Sequence, residues 1–235
     1  MSDSANTPAM TNNHAHEDTD TATLIADETP EPVPSKRRLE SRRRILAAAR
    51  QLFVERGYHA TRPQDISKAA GVGHGTFYLH FADKLECFLA FAEEASKELE
   101  AFSEEHYGGF SEQNQGGELR PLEEGIREVL KSVFEYSAEN PGVLAAALTD
   151  INVLATEDTQ SLMPIDRWAE QWATTIEALA AEGSVAPDID PMFAGHVLVG
   201  MIRQGGAYAS RAGLPPEETL DKLTRSIVRS LTSKA

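Results

Sequence analysis

Features that are scarce in this sequence already exclude several classes of protein. The chain has one cysteine, Cys87, which excludes an intramolecular disulfide and is compatible with a reducing cytoplasm. No uninterrupted apolar run approaches the ~18 residues of a membrane-spanning helix, so we expect no membrane span. The N-terminal segment lacks the basic start and the apolar core of a secretory signal. We therefore expect a cytoplasmic protein.

Basic residues are also scarce overall, with 22 Lys and Arg against 37 Asp and Glu and a net charge of −15. Their distribution is uneven. Residues 1–34 carry seven acids and no Lys or Arg, whereas residues 35–84 carry eleven Lys and Arg against four acids, and the rest of the chain is again acidic. This basic island fits either a small module that binds a polyanion or a solvated basic helix.

Apolar residues from Ser35 onward recur at helical spacing, and the alternation typical of strands is absent. The pattern predicts an all-α chain of about nine helices. Residues 1–35 are expected to form a disordered acidic tail, because they are too polar to bury the apolar surface that ordering requires. We expect a three-helix DNA-binding domain of the helix-turn-helix type over residues 36–84 and a larger helical domain over residues 85–235.

Local signals predict where individual helices begin and end. The first helix is expected over about residues 40–56, with Gly57 ending it. Asp83 and Glu86 have the spacing of a capping box at the start of a long helix. A shorter helix is predicted over about residues 143–155, after the helix breaker "NPG".

The segment "DISKAAGVGHGTFYLHF" (65–81) has the pattern of a helix-turn-helix. Gly71 accepts the positive φ that a tight turn between two short helices requires, and the small Ser67 permits a close crossing. Gly73 and Gly75 leave the first turn of the second helix open to the approach of a phosphate. In such a motif the second helix presents its outward side chains to base edges in the major groove of DNA.

Residues 42–91 as a whole resemble the DNA-binding region of the TetR family of bacterial transcriptional regulators. The resemblance rests on "LFVERGY", "DISKAAGV" and "GTFYLHFADK", in this order and spacing. It implies DNA contacts from the recognition helix, from the residue that starts the following helix, and from the start of the second helix. These residues are His74, Gly75, Thr76, Tyr78 and His80, then Lys84, and then Thr61, Arg62 and Gln64.

Two positions depart from the pattern of that family. Arg62 stands where the family commonly has Thr, so a phosphate contact there becomes a charged one. Gly73 stands where the family often has Ser, so a hydroxyl contact or helix cap is lost. Ahead of the first helix, "SKRRLESRRR" (35–44) contains six basic residues that either reach a flanking minor groove and phosphates or form a solvated helix start.

The resemblance implies that residues from about 85 onward bind a ligand and form a dimer, with the last two helices of each subunit making a four-helix interface. Small residues within 195–210 and an apolar stripe on the last helix support this interface, although an ordinary internal helix pair fits them nearly as well. Side chains expected to contact an effector are Phe134, Trp168, Trp172, His196, Arg203 and Gln204.

Three functions are weighed on these observations. The first is a ligand-responsive repressor that binds a near-palindromic operator as a homodimer and is released by a small-molecule effector. The second is a DNA-binding regulator without such an effector, either architectural or controlled by a partner protein. The third is an enzyme, which the sequence disfavours because it has no catalytic triad pattern, metal-ligand spacing or phosphate-binding loop. We expect no cofactor and no metal site.

Overall fold

The computed structural model describes residues 35–107, 122–149 and 163–232, and all regular structure within these ranges is helical. The predicted all-α class is therefore confirmed. Residues 1–34 of the expected acidic tail lie outside these ranges. The helices described are α1 (Lys36–Ala60), α2 (Pro63–Ala69), α3 (His74–Tyr78), α4 (Lys84–Tyr107), α5 (Leu122–Glu139), α6 (Val143–Ala147), α7 (Pro164–Ala181), α8 (Pro191–Ala212) and α9 (Pro216–Thr232).

α1 is longer at both ends than the sequence predicts. It begins at Lys36 because the Ser35 hydroxyl caps it, accepting a hydrogen bond from the Arg38 backbone N–H at 3.3 Å. Gly57 interrupts the helix with φ 77°, as expected for a helix-ending glycine, but one further turn follows up to Ala60. The basic segment before the predicted start is consequently part of the helix.

The first three helices enclose a common apolar core. Phe53 of α1, Ile66 of α2 and Phe77 of α3 are each almost fully buried. Phe88, one turn into α4, meets the Phe53 ring edge-on with 5.4 Å between the ring centroids. The beginning of α4 therefore packs into the same core as the helix-turn-helix segment.

α4 begins with the predicted capping interaction. The Asp83 carboxylate accepts a hydrogen bond from the Glu86 backbone N–H at 2.8 Å, and the Glu86 carboxylate reaches back to the Ala82 N–H. These contacts satisfy donors that the first helical turn leaves unpaired. Beyond this cap, α4 packs successively against α1, α6, α5 and α7.

The last three helices form a layer in which α8 lies between α7 and α9. α7 and α8 cross closely at Gly195, where a Cβ atom would overlap the Ala169 carbonyl oxygen and lie 3.2 Å from the Ala173 nitrogen. Farther along α8, Gly205 faces the Leu223 side chain of α9. The helix predicted over residues 143–155 corresponds to α6, which already ends at Ala147, and residues 150–162 lie outside the described ranges.

Candidate nucleic-acid interface and ligand cavity

The turn between α2 and α3 is built around Gly71. Its φ is 63°, a conformation that side chains disfavour, and its backbone N–H donates to the Lys68 carbonyl at 3.1 Å. Arg44 of α1 crosses this turn and donates to the Gly71 carbonyl at 2.9 Å and to the Ala70 carbonyl. A Cβ on Gly71 would lie 2.7 Å from the Arg44 Nη2 atom, so a side chain at this position would displace the Arg44 guanidinium from the turn.

Ser67 is the small residue that the sequence places inside the motif. It is buried, and its hydroxyl donates to the Pro63 carbonyl at 2.8 Å. Because the hydroxyl is satisfied within α2, its burial carries little cost. The Val72 N–H donates to the Ser67 carbonyl at 3.0 Å, which closes the end of α2.

α3 presents one buried anchor and an outward polar-aromatic face. Phe77 is fully buried, whereas His74, Gly75 and Tyr78 are exposed and Thr76 is half-buried. The His74 and Tyr78 rings meet edge-on with 5.1 Å between their centroids, as expected for residues four apart on one helical face. The structure therefore brings four of the five predicted recognition-helix residues onto one short surface.

His80, the fifth, is half-buried and turned toward α1. Its Nε2 atom lies 2.6 Å from the Ser41 hydroxyl oxygen. Burial, together with the positive charges of Arg38 and Arg42, lowers the pKa of the His80 imidazole. The neutral ring is thus favoured, and its visible role is to fix the end of α3 against α1.

Thr61, one of the predicted DNA contacts, has a side chain that is closed off from solvent in the structure. Its side chain is fully buried, and its hydroxyl donates to the Gly57 carbonyl at 2.8 Å, with the Leu52 carbonyl at 3.3 Å. No hydroxyl surface is left for a phosphate, because the group is used to close the end of α1. The neighbouring Arg62 and Gln64 are exposed at the start of α2.

Lys84 is held within the protein. Its ammonium group donates to the Tyr58 carbonyl at 2.9 Å and lies 4.1 Å from the centroid of the Tyr58 ring. Partial burial lowers the pKa of this lysine. The side chain therefore connects the start of α4 to the end of α1, and its predicted contact with DNA stays a prediction.

Contacts within the protein divide the basic segment of α1 into two parts. Arg43 pairs with Glu40 at 2.8 Å, the Arg42 guanidinium lies 4.8 Å from the Phe81 ring centroid, and Arg44 crosses the α2–α3 turn. The exposed residues Lys36, Arg37 and Arg38 lie on the first turn of the helix. A contact from this segment to DNA is best placed on that turn.

A cavity of about 1010 Å³ lies between α4, α5, α6 and α7. Each of the four helices contributes apolar wall, for example Leu89, Ile126, Leu148 and Trp172. Sites for drug-sized ligands have volumes of about 300–1,000 Å³ and mainly apolar walls. The cavity has the size and character of a site for a small organic molecule.

Two of the six predicted effector contacts, Trp168 and Trp172, line this cavity. Phe134 does not: it faces α8, where its Cε1 atom would lie 3.6 Å from a Cβ on Gly206. Three residues of α8 are also absent from the lining. His196 lies 3.8 Å from the Asp166 carboxylate, Arg203 donates to the Leu148 carbonyl at 3.2 Å, and Gln204 is exposed.

Phe134, His196, Arg203 and Gln204 lie outside the cavity wall because α7, rather than α8, forms that wall, and their contact with an effector stays a prediction. The largest group of lining residues that sequence reasoning missed is on α4, where Glu86, Glu93, Glu100 and Glu104 form a stripe. Their spacing of seven, seven and four residues places them on one face of a helix. Spacing alone does not distinguish such a stripe from an ordinary solvated face.

Groups typical of catalysis are not assembled in the part of the chain that the structure describes. Cys87 is fully buried, and burial raises the pKa of its thiol to about 12, so it is not a reactive thiolate. No group of three His, Cys, Asp or Glu within residues 35–107, 122–149 and 163–232 is placed to hold a metal. Nor is any helix of these ranges long and apolar enough to cross a membrane.

Comparison with known proteins gives the family of the N-terminal helices. Residues 45–91 match the model of the family described as bacterial regulatory proteins, tetR family. Over 51 residues, or 22% of the chain, the sequence is 47% identical to the transcriptional activator FasR of Mycolicibacterium smegmatis, covering 23% of that protein. Over 67 residues, or 28% of the chain, it is 39% identical to the transcriptional repressor AcnR of Corynebacterium efficiens, covering 36% of that protein.

The fold resembles solved structures over most of the chain. The regulator FadR of Bacillus subtilis, solved in complex with stearoyl-CoA, superimposes with a TM-score of 0.58. The match covers 81% of this chain and 97% of that one at 20% sequence identity, and it shows likeness of fold alone. The match over α1 to the start of α4 identifies residues 45–91 as similar to the DNA-binding region of the tetR family of bacterial regulatory proteins, and the fold of the described helices resembles that of a solved regulator.

Proposed function

We propose that the protein is a homodimeric transcriptional repressor, which binds a near-palindromic operator and is released when a small molecule enters the cavity. The observation that carries this proposal is that α4 and α6 belong to both candidate sites. Each helix contacts α1 of the helix-turn-helix region, and each contributes wall to the cavity. A ligand that moves either helix therefore acts directly on the DNA-binding helices.

The link through α4 is polar. The Glu98 carboxylate accepts two hydrogen bonds from Arg50 of α1, at 2.6 and 2.8 Å, and one from the Tyr136 hydroxyl of α5, at 2.7 Å. One carboxylate thus joins α1, α4 and α5. The neighbouring Leu99 lines the cavity, so a ligand that displaces this turn of α4 also disturbs the hold on α1.

The link through α6 is a close packing contact. Gly142, directly before α6, has φ 80°, and a Cβ on it would lie 2.9 Å from the Val54 Cγ1 atom of α1. Leu144 and Leu148, on the same short segment, line the cavity. A ligand that binds more tightly to an arrangement of α4 and α6 that does not fit DNA weakens DNA binding by linkage. A coupling free energy of about 1–3 kcal/mol between the ligand site and the DNA site is enough.

The DNA-binding part of the proposal is supported by the outward face of α3. His74, Gly75, Thr76 and Tyr78 form this face, which in the proposed complex meets base edges, while the exposed Arg62 and Gln64 contact the backbone of the duplex. A small-molecule effector is supported by the cavity, and by FadR, a protein of the same fold that was solved with stearoyl-CoA.

Substitutions on this face are expected to separate base reading from backbone binding. His74→Ala should change the base preference of the protein at one operator position, because the ring stands on the outward face of α3. Arg62→Ala should weaken binding to all sequences about equally and reduce the salt dependence of affinity. Competition binding against a panel of single-base operator variants measures both. If the two substitutions act alike, His74 does not read a base.

A dimer interface on α8 is supported by apolar side chains that face solvent in the single chain. Phe193 is 69% exposed and Tyr208 60% exposed, with Met192 and Val197 on the same helix. Exposed apolar clusters of this kind mark interaction surfaces. The apolar residues Leu220, Leu223, Ile227 and Leu231 of α9 face inward and hold this helix against α5 and α8. We therefore propose that α8 and α9 form a helix pair that joins the same pair of a second copy in a four-helix interface.

We expect Phe193→Asp to convert the dimer into a monomer at micromolar concentration, because a charge would be buried in the apolar patch of the interface. Leu39→Asp is the matched control, since Leu39 is a comparably exposed apolar residue on α1. Sedimentation of both variants beside the parent protein measures the mass. A parent protein that is already monomeric, or a loss of dimer in both variants, would contradict the proposed interface.

The experiment that tests the function is selection of bound fragments from random DNA at near-physiological salt, where non-specific phosphate binding is suppressed. Enrichment of an inverted repeat would support a dimeric, sequence-specific regulator and would supply the operator for release assays. No enrichment by the folded protein would contradict it. Operator binding that no cavity ligand alters would favour instead a regulator without a small-molecule effector.

A further inference from the structure

We propose that the cavity binds amphipathic organic cations, molecules with an apolar body and an ammonium or comparable positive group. The inference rests on the proposed function, because it names the ligand class for the same cavity. It goes beyond that function because the charges of the lining residues disfavour anionic ligands, which an apolar cavity of this size could otherwise hold.

The volume and the apolar walls of the cavity favour a ligand with an apolar body. About 1010 Å³ is enough for a drug-sized molecule, and Leu, Ile, Val and Trp together form the largest group of side chains in the wall. Polar uncharged groups such as Gln171 and Thr175 are contributed by α7. A fully hydrated ion would gain nothing from such walls, whereas an alkyl or aromatic group is stabilised by leaving water.

The charged residues that line the cavity favour a positive rather than a negative polar group on the ligand. Among the described lining residues, four glutamates of α4 face one arginine, Arg167 of α7. Arg167 is already paired with Glu93, and this contact, with that of Lys97, lowers the pKa of the Glu93 carboxyl. An anionic ligand would therefore meet a neutralised arginine and the carboxylates of Glu86, Glu100 and Glu104.

The two tryptophans of the cavity wall also favour a positive charge on the ligand. Trp168 and Trp172 both line the cavity, and the face of an indole ring attracts ammonium groups more strongly than any other side-chain ring. Carboxylates and indole rings in one cavity thus complement a positive group from two independent sources. An acyl-CoA, by contrast, would bring several phosphate charges toward the acidic stripe of α4.

The test is titration calorimetry of the full chain with a matched set of ten-carbon probes. Decyltrimethylammonium, decanol, decanoate and decanoyl-CoA share one apolar body and differ in the charge of the head group. We expect the cation to bind about tenfold or more tightly than decanoate, with decanol between them, because opposite charges attract and like charges repel across the partly dehydrated cavity. Tighter binding of either anion would overturn the proposal.

Substitution of the acidic stripe tests whether the selectivity originates in the cavity. The double variant Glu100→Gln, Glu104→Gln should bind the cation about three- to tenfold more weakly, as expected for two partly exposed ion pairs, and should bind decanol as before. The control is Glu94→Gln, Glu105→Gln, which removes two exposed glutamates of the same helix that do not line the cavity. An equal loss in the control would trace the preference to the net charge of the protein and overturn the site.

Release of labelled operator, followed in the same titrations, separates this inference from the proposed function. Cation binding that leaves the operator bound contradicts the effector mechanism but supports the ligand class. Release by decanoate or decanoyl-CoA, without binding of the cation, supports the mechanism and overturns the ligand class. Failure of all four probes to bind overturns the ligand class as well.

Discussion

Replacing Phe77 by alanine is expected to destabilise the protein by about 3–5 kcal/mol and to abolish DNA binding. Phe77 is the buried residue of α3 and is fully enclosed, with its ring centroid 5.7 Å from that of Phe81. A helix of five residues has little stability of its own, so α3 depends on this anchor for its position. Urea denaturation measures the loss of stability, and fluorescence anisotropy with operator DNA measures the loss of binding.

Tyr78→Ala is the matched control on the same helix. Tyr78 is 49% exposed, so its removal should change the free energy of unfolding by about 0.5 kcal/mol at most. Operator affinity should nevertheless fall, because the ring lies on the outward face beside His74. If Phe77→Ala kept both its stability and its operator affinity, the assignment of α3 as an anchored recognition helix would be wrong.

The second large effect is expected at the crossing of α7 and α8. A Cβ on Gly195 would overlap the Ala169 carbonyl oxygen and lie 3.1 Å from its carbonyl carbon. These are backbone atoms of a helix, so the strain is relieved only by moving α7 and α8 apart. Overpacking of this kind costs about 1–3 kcal/mol or more, which exceeds the ~1 kcal/mol that alanine gains over glycine in a helix. We therefore expect Gly195→Ala to lower the denaturation midpoint.

Gly125→Ala on α5 is the control for helix propensity, because a Cβ at that position meets no atom within 4 Å. This variant should be more stable than the parent by about 0.5–1 kcal/mol. A stabilising effect at both positions would mean that α7 and α8 do not approach as closely as described. Since α7 carries Trp168 and Trp172 of the cavity wall, Gly195→Ala should also weaken ligand binding.

Local sequence signals predicted the parts of this fold that depend on neighbours in the chain. Helical periodicity predicted the helices, and the requirement for positive φ identified Gly71 at the turn between α2 and α3. Asp83 and Glu86 cap α4 as their spacing predicts. In each case the interacting groups lie within about one helical turn, where sequence distance and spatial distance agree.

The burial of individual side chains and the contacts between distant parts of the chain were beyond this kind of reasoning. The family resemblance implies a DNA contact at Thr61, yet the hydroxyl of this residue is buried at the end of α1. The sequence predicts Arg44 as one of several basic residues that contact DNA. In the structure its guanidinium instead donates to two carbonyls of the α2–α3 turn, 26 and 27 residues away. The α8 residues His196 and Gln204 were expected at the ligand site, although the cavity is walled by α7, because the rotation of a helix against its neighbours depends on packing that no local pattern records.

The internal contacts of the basic residues also limit how strongly ionic strength can act on DNA binding. Of the eleven Lys and Arg in residues 35–84, five already have partners within the protein: Arg42, Arg43, Arg44, Arg50 and Lys84. Each phosphate that a protein neutralises releases about 0.9 of a counterion from duplex DNA. The logarithm of affinity should therefore fall with the logarithm of salt concentration at a slope of about 5 per chain, rather than the ~10 that the charge of the island suggests.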